Sequence, residues 1–470
     1  MLTYSFADIG SESLYHHLYQ CVKSDILSGI LPAGTKLPSK RSFAKNLGVS
    51  NITVENAYAQ LRAEGYVCSV PKKGFYVSEV SGHILPVDAV SQSCTRQDVP
   101  RREYVADFAT NCVDPEEFPF SVWSKLLRET LLNSHQELLE MSPWGGIRKL
   151  RRAIVSHLKA FRGMDVSAEQ IIVGAGTEYL YGLLIQLLGR DKVYAVENPG
   201  YHKIAQIYES NDVAFRFVAV GKAGMDIGEL EEAGADVAHI SPSHHFPTGI
   251  VTPIGKRYEL LGWANREEGR YIIEDDYDSE FRLAGKPIPT LQSIDRTERV
   301  IYMNTFTKSL APTIRISYMV LPRHLLQEFE ERLFFYSCTV SNFEQYTLAR
   351  FIEDGYFEKH INRMRTHYRR IRDELMECIR RSPLASCCRI SEEDAGLHFL
   401  LCIETSLSDQ ELLQNAGRAG IRLSAMAQYY AGLSEDAPAH TFVINYSGLA
   451  VGEIPHIVEL LSSCILETSL

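Results

Sequence analysis

Two hydrophobic patterns divide the chain. From Leu14 to about Gly65 the apolar residues recur at helical spacing, whereas after Phe108 short apolar runs alternate with long amphipathic stretches. Helical spacing predicts helices packed on a small core, and short runs rich in β-branched residues predict buried strands. The pattern therefore predicts a small helical region followed by an α/β region.

The first region is expected to form three helices and a hairpin. The second helix should begin at Ser39 and the third at Ser50, since serine is a common N-cap residue. The core-facing positions are Leu14, Leu18, Val22 and Ile26 in the first helix, Phe43, Ala44 and Leu47 in the second, and Val54, Ala57, Tyr58 and Leu61 in the third. "GYVCSVPKKGFYVS" then predicts two strands around the turn Lys72-Lys73-Gly74. This is the order of an α+β winged helix-turn-helix, whose third helix enters the DNA major groove. On shape alone, a small helical interaction domain remains the alternative.

The second region predicts an α/β domain with a mostly parallel central sheet and a smaller C-terminal subdomain. The predicted strands are Ile171–Val173, Val193–Val196, Ala238–Ile240, Tyr271–Ile273 and Val300–Met303. Residues 79–104 show no sustained period and contain two prolines, which is typical of a linker. Fully extended, this segment would reach roughly 85 Å at about 3.3 Å per residue. The expected organisation is residues 1–78, a flexible linker over 79–104, and residues 105–470.

Charge separates the same two regions. The chain has 470 residues and a net charge of −11, yet residues 1–78 carry eight Lys/Arg against five Asp/Glu, or +3, which leaves −14 for the rest. A basic N-terminal region is compatible with a nucleic-acid partner. The ten cysteines show no zinc-ligand spacing, so we expect no metal site. We expect no membrane span and a cytoplasmic location, because the N-terminus lacks a signal-peptide pattern and the longest apolar run is too short for a bilayer.

One lysine in the second region is a candidate for covalent chemistry. "NTFTKSLAPTIR" places Lys308 just past the strand Val300–Met303, and ligands bind at that edge of open α/β sheets. Thr305, Thr307 and Arg315 offer hydroxyls and a guanidinium that suit a phosphate. A solvated loop lysine is the alternative if the motif is taken alone.

Three further motifs extend this site. "YIIEDDYDSEF" ends a strand in Asp275 and Tyr277, and a carboxylate there could bind Mg²⁺, cap a helix or keep a pyridine nitrogen protonated. "IIVGAGTEYL" predicts a strand, a turn and a helix N-terminus that could bind phosphate. "ENPGYHK" supplies Tyr201, which could stack on an aromatic ring. A lysine, a ring-nitrogen partner and a phosphate cradle are what pyridoxal phosphate requires.

The N-terminal segment from "GILPAGTKLPSKRSFAKNLGVSNITVENAYAQLRAEGYV" to "KKGFYV" resembles the GntR family of bacterial transcription regulators. The resemblance implies a double-stranded DNA operator as partner. The implied DNA-binding residues are Ser39, Arg41, Ser50, Asn51, Ile52, Thr53, Lys72, Lys73 and Gly74. Asn51 stands where the family commonly has arginine, so we expect an operator that differs from the usual one.

From about Phe108 the chain resembles the aspartate-aminotransferase fold, fold type I of the pyridoxal-phosphate proteins. The resemblance implies a homodimer and assigns Lys308 to bond the cofactor aldehyde, Asp275 to the ring nitrogen, Tyr277 to the phenolic oxygen and Tyr201 to stacking. The implied phosphate ligands are Thr305, Thr307, Arg315, Ala175, Gly176 and Thr177.

Two departures bear on turnover. Phe246 stands where aminotransferases carry an asparagine, and "HTFVINYSGL" lacks their substrate-binding arginine. The possible substitutes for effector contact are Lys203, His245, Arg422 and Asn445.

Together the two halves resemble the MocR/GabR subfamily of GntR regulators. This implies a regulator that binds pyridoxal phosphate and senses an amine, an amino acid or the cofactor itself. An active aminotransferase with an accessory DNA-binding domain is the main alternative, and a regulator that has lost its cofactor is the third.

Overall fold

A computed structural model of the chain describes residues 2–6, 13–79, 104–283, 288–394, 396–432 and 437–466. The chain divides into two compact units, residues 1–101 and residues 102–470. The segment predicted as a linker, residues 79–104, lies outside the described residues except at its two ends.

The first unit is a winged helix-turn-helix, as the sequence predicts. Its helices and strands are α1 Leu14–Leu27, α2 Lys40–Leu47, α3 Asn51–Ala63, β1 Val67–Val70 and β2 Gly74–Val77. The two strands pair antiparallel with Val67 opposite Val77, and Pro71 to Lys73 form the turn between them. This hairpin is the predicted wing.

The core of the first unit comes from the helix faces that the periodicity indicated. Leu18 and Val22 of α1 pack with Val54, Tyr58 and other apolar residues of α2 and α3. Because these positions repeat every three to four residues, each helix buries one stripe and exposes the rest. Leu14 is an exception, since it is 45 % exposed at the first position of α1. The expectation that Leu14 faces the core is therefore wrong.

The second unit is an α/β fold with a smaller C-terminal subdomain. Its helices are α4 Phe120–Asn133, α5 His135–Leu139, α6 Arg148–Arg162, α7 Thr177–Leu188, α8 His202–Ser210, α9 Ile227–Glu232, α10 Ile254–Arg266, α11 Leu291–Ile294, α12 Arg323–Leu333, α13 Asn342–Glu353, α14 Tyr356–Arg381, α15 Asp409–Arg418 and α16 Ile454–Leu466. Its strands are β3 Ala106–Asp107, β4 Ile171–Gly174, β5 Tyr194–Asn198, β6 Phe215–Gly221, β7 Gly224–Met225, β8 Val237–Ile240, β9 Tyr271–Asp275, β10 Val300–Thr305, β11 Ser317–Val320, β12 Cys388–Ser391, β13 His398–Ile403, β14 Ile421–Arg422, β15 Ser424–Ala425 and β16 Thr441–Asn445.

The large sheet has the order β4-β11-β10-β9-β8-β5-β6-β7. Strands β6, β5, β8, β9 and β10 run parallel to one another, whereas β11 is antiparallel to its neighbours. Parallel neighbours bring their carboxyl ends to one edge, so the segments after β5, β8, β9 and β10 meet there. The C-terminal subdomain contains an antiparallel sheet of order β12-β13-β16-β15.

Burial of the large sheet on both faces explains its continuous apolar runs. In β9, Ile272 packs in a cluster with Trp263, while the next residue, Ile273, packs in a different cluster with Leu184. Successive strand residues point to opposite faces, and both faces are covered by helices. Among the helices that the structure describes, none has the length and apolar character needed to cross a membrane.

Candidate functional sites

Two serines predicted to meet DNA begin the helices of the first unit. Ser39 Oγ accepts a hydrogen bond from the Ser42 backbone N–H at 3.2 Å, and Ser50 Oγ accepts one from the Thr53 N–H at 3.1 Å. Each serine therefore satisfies one of the N–H groups that a helix start leaves unpaired. Their structural role was predictable from the sequence.

The other predicted DNA contacts lie on the surface of the same unit. They are Arg41, Asn51, Ile52, Thr53, Lys72, Lys73 and Gly74, all exposed or half-buried. Ile52 is 68 % exposed, so its side chain is accessible for contact with a thymine methyl group. Glu55, four residues after Asn51, accepts a hydrogen bond from Lys40 at 2.5 Å. The pair neutralises a carboxylate that would otherwise repel phosphate.

A cavity of about 440 Å³ lies at the carboxyl edge of the large sheet. Eleven of the predicted cofactor and effector residues line it: Gly176, Thr177, Tyr201, Lys203, Asp275, Tyr277, Thr305, Thr307, Lys308, Arg315 and Asn445. They come from strand ends, loops and helices far apart in sequence, and the fold of the second unit brings them together. Phe246, the residue in place of asparagine, also lines the cavity.

Asp275 ends β9 and faces the cavity. Its Oδ2 accepts a hydrogen bond from Tyr181 Oη at 2.6 Å and lies 3.7 Å from His239 Nε2. Its Oδ1 is buried and has no hydrogen-bond partner among the described residues. A buried unpaired carboxylate oxygen is costly, and a protonated ring nitrogen would satisfy it. This atom is the observation that fits the residues present to pyridoxal phosphate.

The next residue, Asp276, is equally buried but has a structural role. It pairs with Arg162, and it accepts a hydrogen bond from Tyr302 Oη at 2.7 Å. The neighbouring Asp275 turns the other way, toward the cavity, because strand residues alternate in direction. The two adjacent carboxylates therefore have different environments.

Lys308 is half-buried at the cavity wall. Burial lowers its pKa, while the Asp278 carboxylate opposes that shift. A lysine with a lowered pKa has more neutral amine near physiological pH, as bonding to an aldehyde requires. Asp278 also bonds His244 Nδ1 at 2.7 Å, and the same nitrogen lies 3.3 Å from Tyr277 Oη. Tyr277 and Lys308 thus border one polar group of side chains.

The predicted phosphate cradle lies at the start of α7. Gly176 is its N-cap with φ +95°, and a Cβ there would overlap the Arg315 guanidinium. Only glycine fits this conformation and spacing. The Ala175 N–H donates to Thr339 Oγ1 at 2.9 Å, and Ala175 is not among the residues that line the cavity. The structure therefore does not favour Ala175 as a phosphate ligand.

Thr305 and Thr307 contact each other beside the cradle. Thr305 Oγ1 donates to Thr307 Oγ1 at 2.8 Å and accepts from Ser317 Oγ at 2.8 Å. Arg315 donates to the carboxylate of Glu178, which also accepts from Lys203. Sequence reasoning missed Glu178, although it directly follows Thr177 and lies in the first turn of α7.

The four effector candidates separate into two pairs. Lys203 and Asn445 line the cavity, and Asn445 donates to the Phe108 carbonyl at 2.8 Å. His245 is 1 % exposed outside the cavity, where burial lowers its pKa to about 3. Arg422 lies in a separate groove and pairs with Asp107 at 3.2 Å. Neither His245 nor Arg422 lines the cavity, so the structure does not support effector contact by either residue.

Sequence reasoning also missed Tyr181 and His239. Tyr181 lies one turn into α7, and His239 lies in the middle of the buried strand β8. Tyr208 Oη and His239 Nδ1 are 2.8 Å apart, and His239 Nε2 lies 3.7 Å from Asp275 Oδ2, so a chain of polar groups leads from Tyr208 to Asp275. An isolated histidine in an apolar strand carries no local signal for such a role. Among the residues that the structure describes, no group of three or more metal-ligating side chains occurs.

Comparison with known proteins matches both units. The family described as "Bacterial regulatory proteins, gntR family" matches residues 14–77, and "Aminotransferase class I and II" matches residues 105–416. An uncharacterized HTH-type transcriptional regulator of Bacillus subtilis, YdeL, is 36 % identical over 94 % of each chain. The probable rhizopine catabolism regulatory protein MocR of Rhizobium meliloti is 31 % identical over 93 % of this chain and 90 % of its own. A multiple substrate aminotransferase from Thermococcus profundus shares the fold, with TM-score 0.67 and 24 % identity over 77 % of this chain and 91 % of its own.

Proposed function

Since the chain belongs to the GntR-family HTH-type transcription regulators that carry an aminotransferase class I and II domain, we propose that its second unit binds pyridoxal 5′-phosphate to regulate DNA binding. The signal is an amine, an amino acid or the cofactor itself. The unpartnered Oδ1 of Asp275, buried in a cavity that also contains Lys308, is the observation that carries the cofactor assignment.

Different residues of the cavity would bind different parts of the cofactor. Lys308, with its pKa lowered by burial, supplies a neutral amine, and Asp275 holds the proton on the ring nitrogen. Tyr181 orients Asp275 through their 2.6 Å hydrogen bond. Arg315 and the α7 N-terminus receive the phosphate. When bound, the cofactor supplies an aldehyde for amines and a ring that withdraws electrons.

Regulation requires that the ligand bind two conformations of the chain unequally. With the cofactor bound, Lys308 would hold its aldehyde, and an amine effector would compete for the same group; the charge state of Lys308 beside Asp278 would then differ between the two liganded forms. Lys203 is the remaining cation at the cavity that suits an effector carboxylate. Phe246 in place of asparagine, and Asn445 bonded to the Phe108 carbonyl, favour sensing over rapid turnover.

The test uses the full chain, pyridoxal phosphate and a duplex selected from a random library. We expect a visible absorbance band with the wild-type chain that is absent from Lys308→Ala. Lys149→Ala is the matched control, because Lys149 is an exposed lysine paired with Glu353 on the same unit. Duplex affinity should change with cofactor or amino acid in the wild type and not in Lys308→Ala. Multiple turnovers of keto acid from any amino donor would instead support the aminotransferase, and no band at saturating cofactor would refute cofactor binding.

We also propose that the chain is a homodimer. Leu139 and Met141 are 84 % and 81 % exposed, and Asn342 bonds the carbonyls of Glu137 and Glu140. These contacts hold the segment that carries the two apolar side chains against the start of α13. Exposed apolar surface of this kind is typical of a partner interface. Sedimentation should show a dimer for the wild type and a shift toward monomer for Leu139→Asp. Ile254→Asp is the control and should remain a dimer.

A further inference from the structure

The phosphate end of the cavity contains a carboxylate of the chain itself. Glu178, in the first turn of α7, accepts hydrogen bonds from both Arg315 and Lys203. Arg315 is the guanidinium expected to hold the cofactor phosphate, and Lys203 is the cation available to an effector. One acidic side chain therefore engages both positive charges that the proposed ligands need.

The Glu178 carboxylate lies in the cradle rather than behind it. A Cβ placed on Gly176 would be 3.0 Å from Glu178 Oε2 and equally close to Arg315 Cζ. Gly176 is the N-cap of α7, so the carboxylate lies beside the helix N-terminus, the end of a helix that favours an anion. A phosphate that binds there must move this carboxylate or share the guanidinium with it.

Glu178 is charged at neutral pH. Partial burial raises its pKa, but Lys203 and Arg315 outweigh that effect and lower it below the ordinary value. Its side chain is 32 % exposed, and those of Lys203 and Arg315 are 46 % and 48 % exposed. All three groups can therefore rearrange toward solvent without breaking the core.

We propose that Glu178 is an internal competitor for anions, which contends with the cofactor phosphate for Arg315 and with an effector carboxylate for Lys203. This inference rests on the proposed cofactor and effector site and adds its regulation. Competition weakens binding of each anion, so the cofactor exchanges with its free pool. A sensor needs such exchange, whereas an enzyme gains from permanent loading.

The experiment measures dissociation constants of the full chain for three probes by calorimetry. The probes are pyridoxal phosphate, inorganic phosphate and pyridoxal, which lacks the phosphate. In Glu178→Gln we expect pyridoxal phosphate and inorganic phosphate to bind about three- to tenfold more tightly, the scale of removing one partly exposed carboxylate from its cations. Pyridoxal affinity should stay the same. Glu169→Gln is the matched control, because Glu169 pairs with Arg148 on the surface of the same unit and does not line the cavity.

The outcomes separate this inference from the proposed function. Tighter phosphate binding by Glu178→Gln without any visible cofactor band would support the competitor and refute the cofactor site. Weaker binding of both phosphate probes would show that Glu178 orients Arg315, and an equal gain for pyridoxal would show that phosphate is not involved. Either result overturns the inference. If Glu178→Gln does not fold, Glu178→Asp, which shortens the reach by one methylene, should give a smaller gain of the same sign.

Discussion

Helices α3 and α7 each begin at a site assigned to a phosphate-bearing ligand, but they begin in different ways. At α3, Ser50 Oγ accepts the Thr53 N–H, so the chain satisfies part of its own helix start. At α7, Gly176 has no side chain and makes no side-chain cap bond. At α3, ligand contact therefore depends on exposed side chains. At α7, backbone N–H groups at the cavity are available as well.

The difference extends to the charged groups around each helix. Lys72 and Lys73 are exposed, where salt screens them and each contact acts independently. Asp275 is buried and Lys308 half-buried in one cavity, where removing one group changes the others. DNA affinity should accordingly fall in small, additive steps, and cofactor affinity in large, coupled ones.

The strongest test of this contrast is Gly176→Ala. An added Cβ would be strained at φ +95° and would overlap the Arg315 guanidinium. We expect cofactor affinity to fall on the order of a hundredfold, since strain and a displaced charged ligand each cost about 1–3 kcal/mol. Titration by visible absorbance measures the loss. Gly182→Ala is the control, because a Cβ at Gly182, in the same helix, meets nothing within 4 Å. Equal affinities for the two variants would show that the cradle is assigned wrongly.

The double variant Lys72→Ala/Lys73→Ala examines the other side of the contrast. Losing two phosphate contacts should reduce the slope of log affinity against log salt by about 1.8 and weaken duplex binding roughly tenfold at moderate salt. Cofactor affinity should not change. Fluorescence anisotropy over a salt series measures the slope. An unchanged slope would show that the hairpin does not contact DNA.

A smaller effect is expected from Ser50→Ala. Loss of the N-cap should reduce the free energy of unfolding of the first unit by about 1 kcal/mol, and Ser50→Gly should cost only a few tenths. Chemical denaturation of the isolated 1–78 segment, followed by circular dichroism, provides the comparison. If both variants were as stable as the wild type, the Ser50 cap would not stabilise α3. The proposed difference between the N-termini of α3 and α7 would then be wrong.

The smallest predicted effect concerns pH. The Asp278 carboxylate raises the pKa of Lys308 against the lowering effect of burial, so Asp278→Asn should lower that pKa further. Neutral amine then persists to lower pH, and the pH midpoint for cofactor attachment should move down. Absorbance titrations at a series of pH values measure the midpoint. An upward shift would mean that Asp278 acts on the site through His244 rather than through its charge on Lys308.

Local patterns were enough to predict much of the first unit and part of the second. Ser39 and Ser50 begin helices because a serine hydroxyl can accept a hydrogen bond from an N–H group of the first helical turn, and the apolar run that includes Ile272 and Ile273 is typical of a buried strand. The placement of Lys308 just past β10 also followed from strand order. These features depend on neighbours in sequence, so periodicity and capping rules reach them.

Partners from distant segments could not be predicted in this way. Nothing near Asp275 in sequence indicates that Tyr181 bonds it or that His239 lies beside it. The burial of His245, the distance of Arg422 from the cavity and the contact of Glu178 with two cations likewise depend on how the strands are ordered. To predict each of these contacts, one must know which segments of the chain lie next to each other in the fold.

The sequence by itself determined the two-part organisation, the winged helix-turn-helix and the α/β sheet, and it predicted most of the candidate residues that line the cavity. Tertiary structure decided which side chains share a cavity and which carboxylate pairs with Arg315 and Lys203 there. The physical reason is that propensity and periodicity act over a few residues, whereas desolvation and Coulomb energy depend on distances between groups far apart in the chain. Glu178 and Arg315, 137 residues apart, meet only because the sheet brings the loop after β10 to the start of α7.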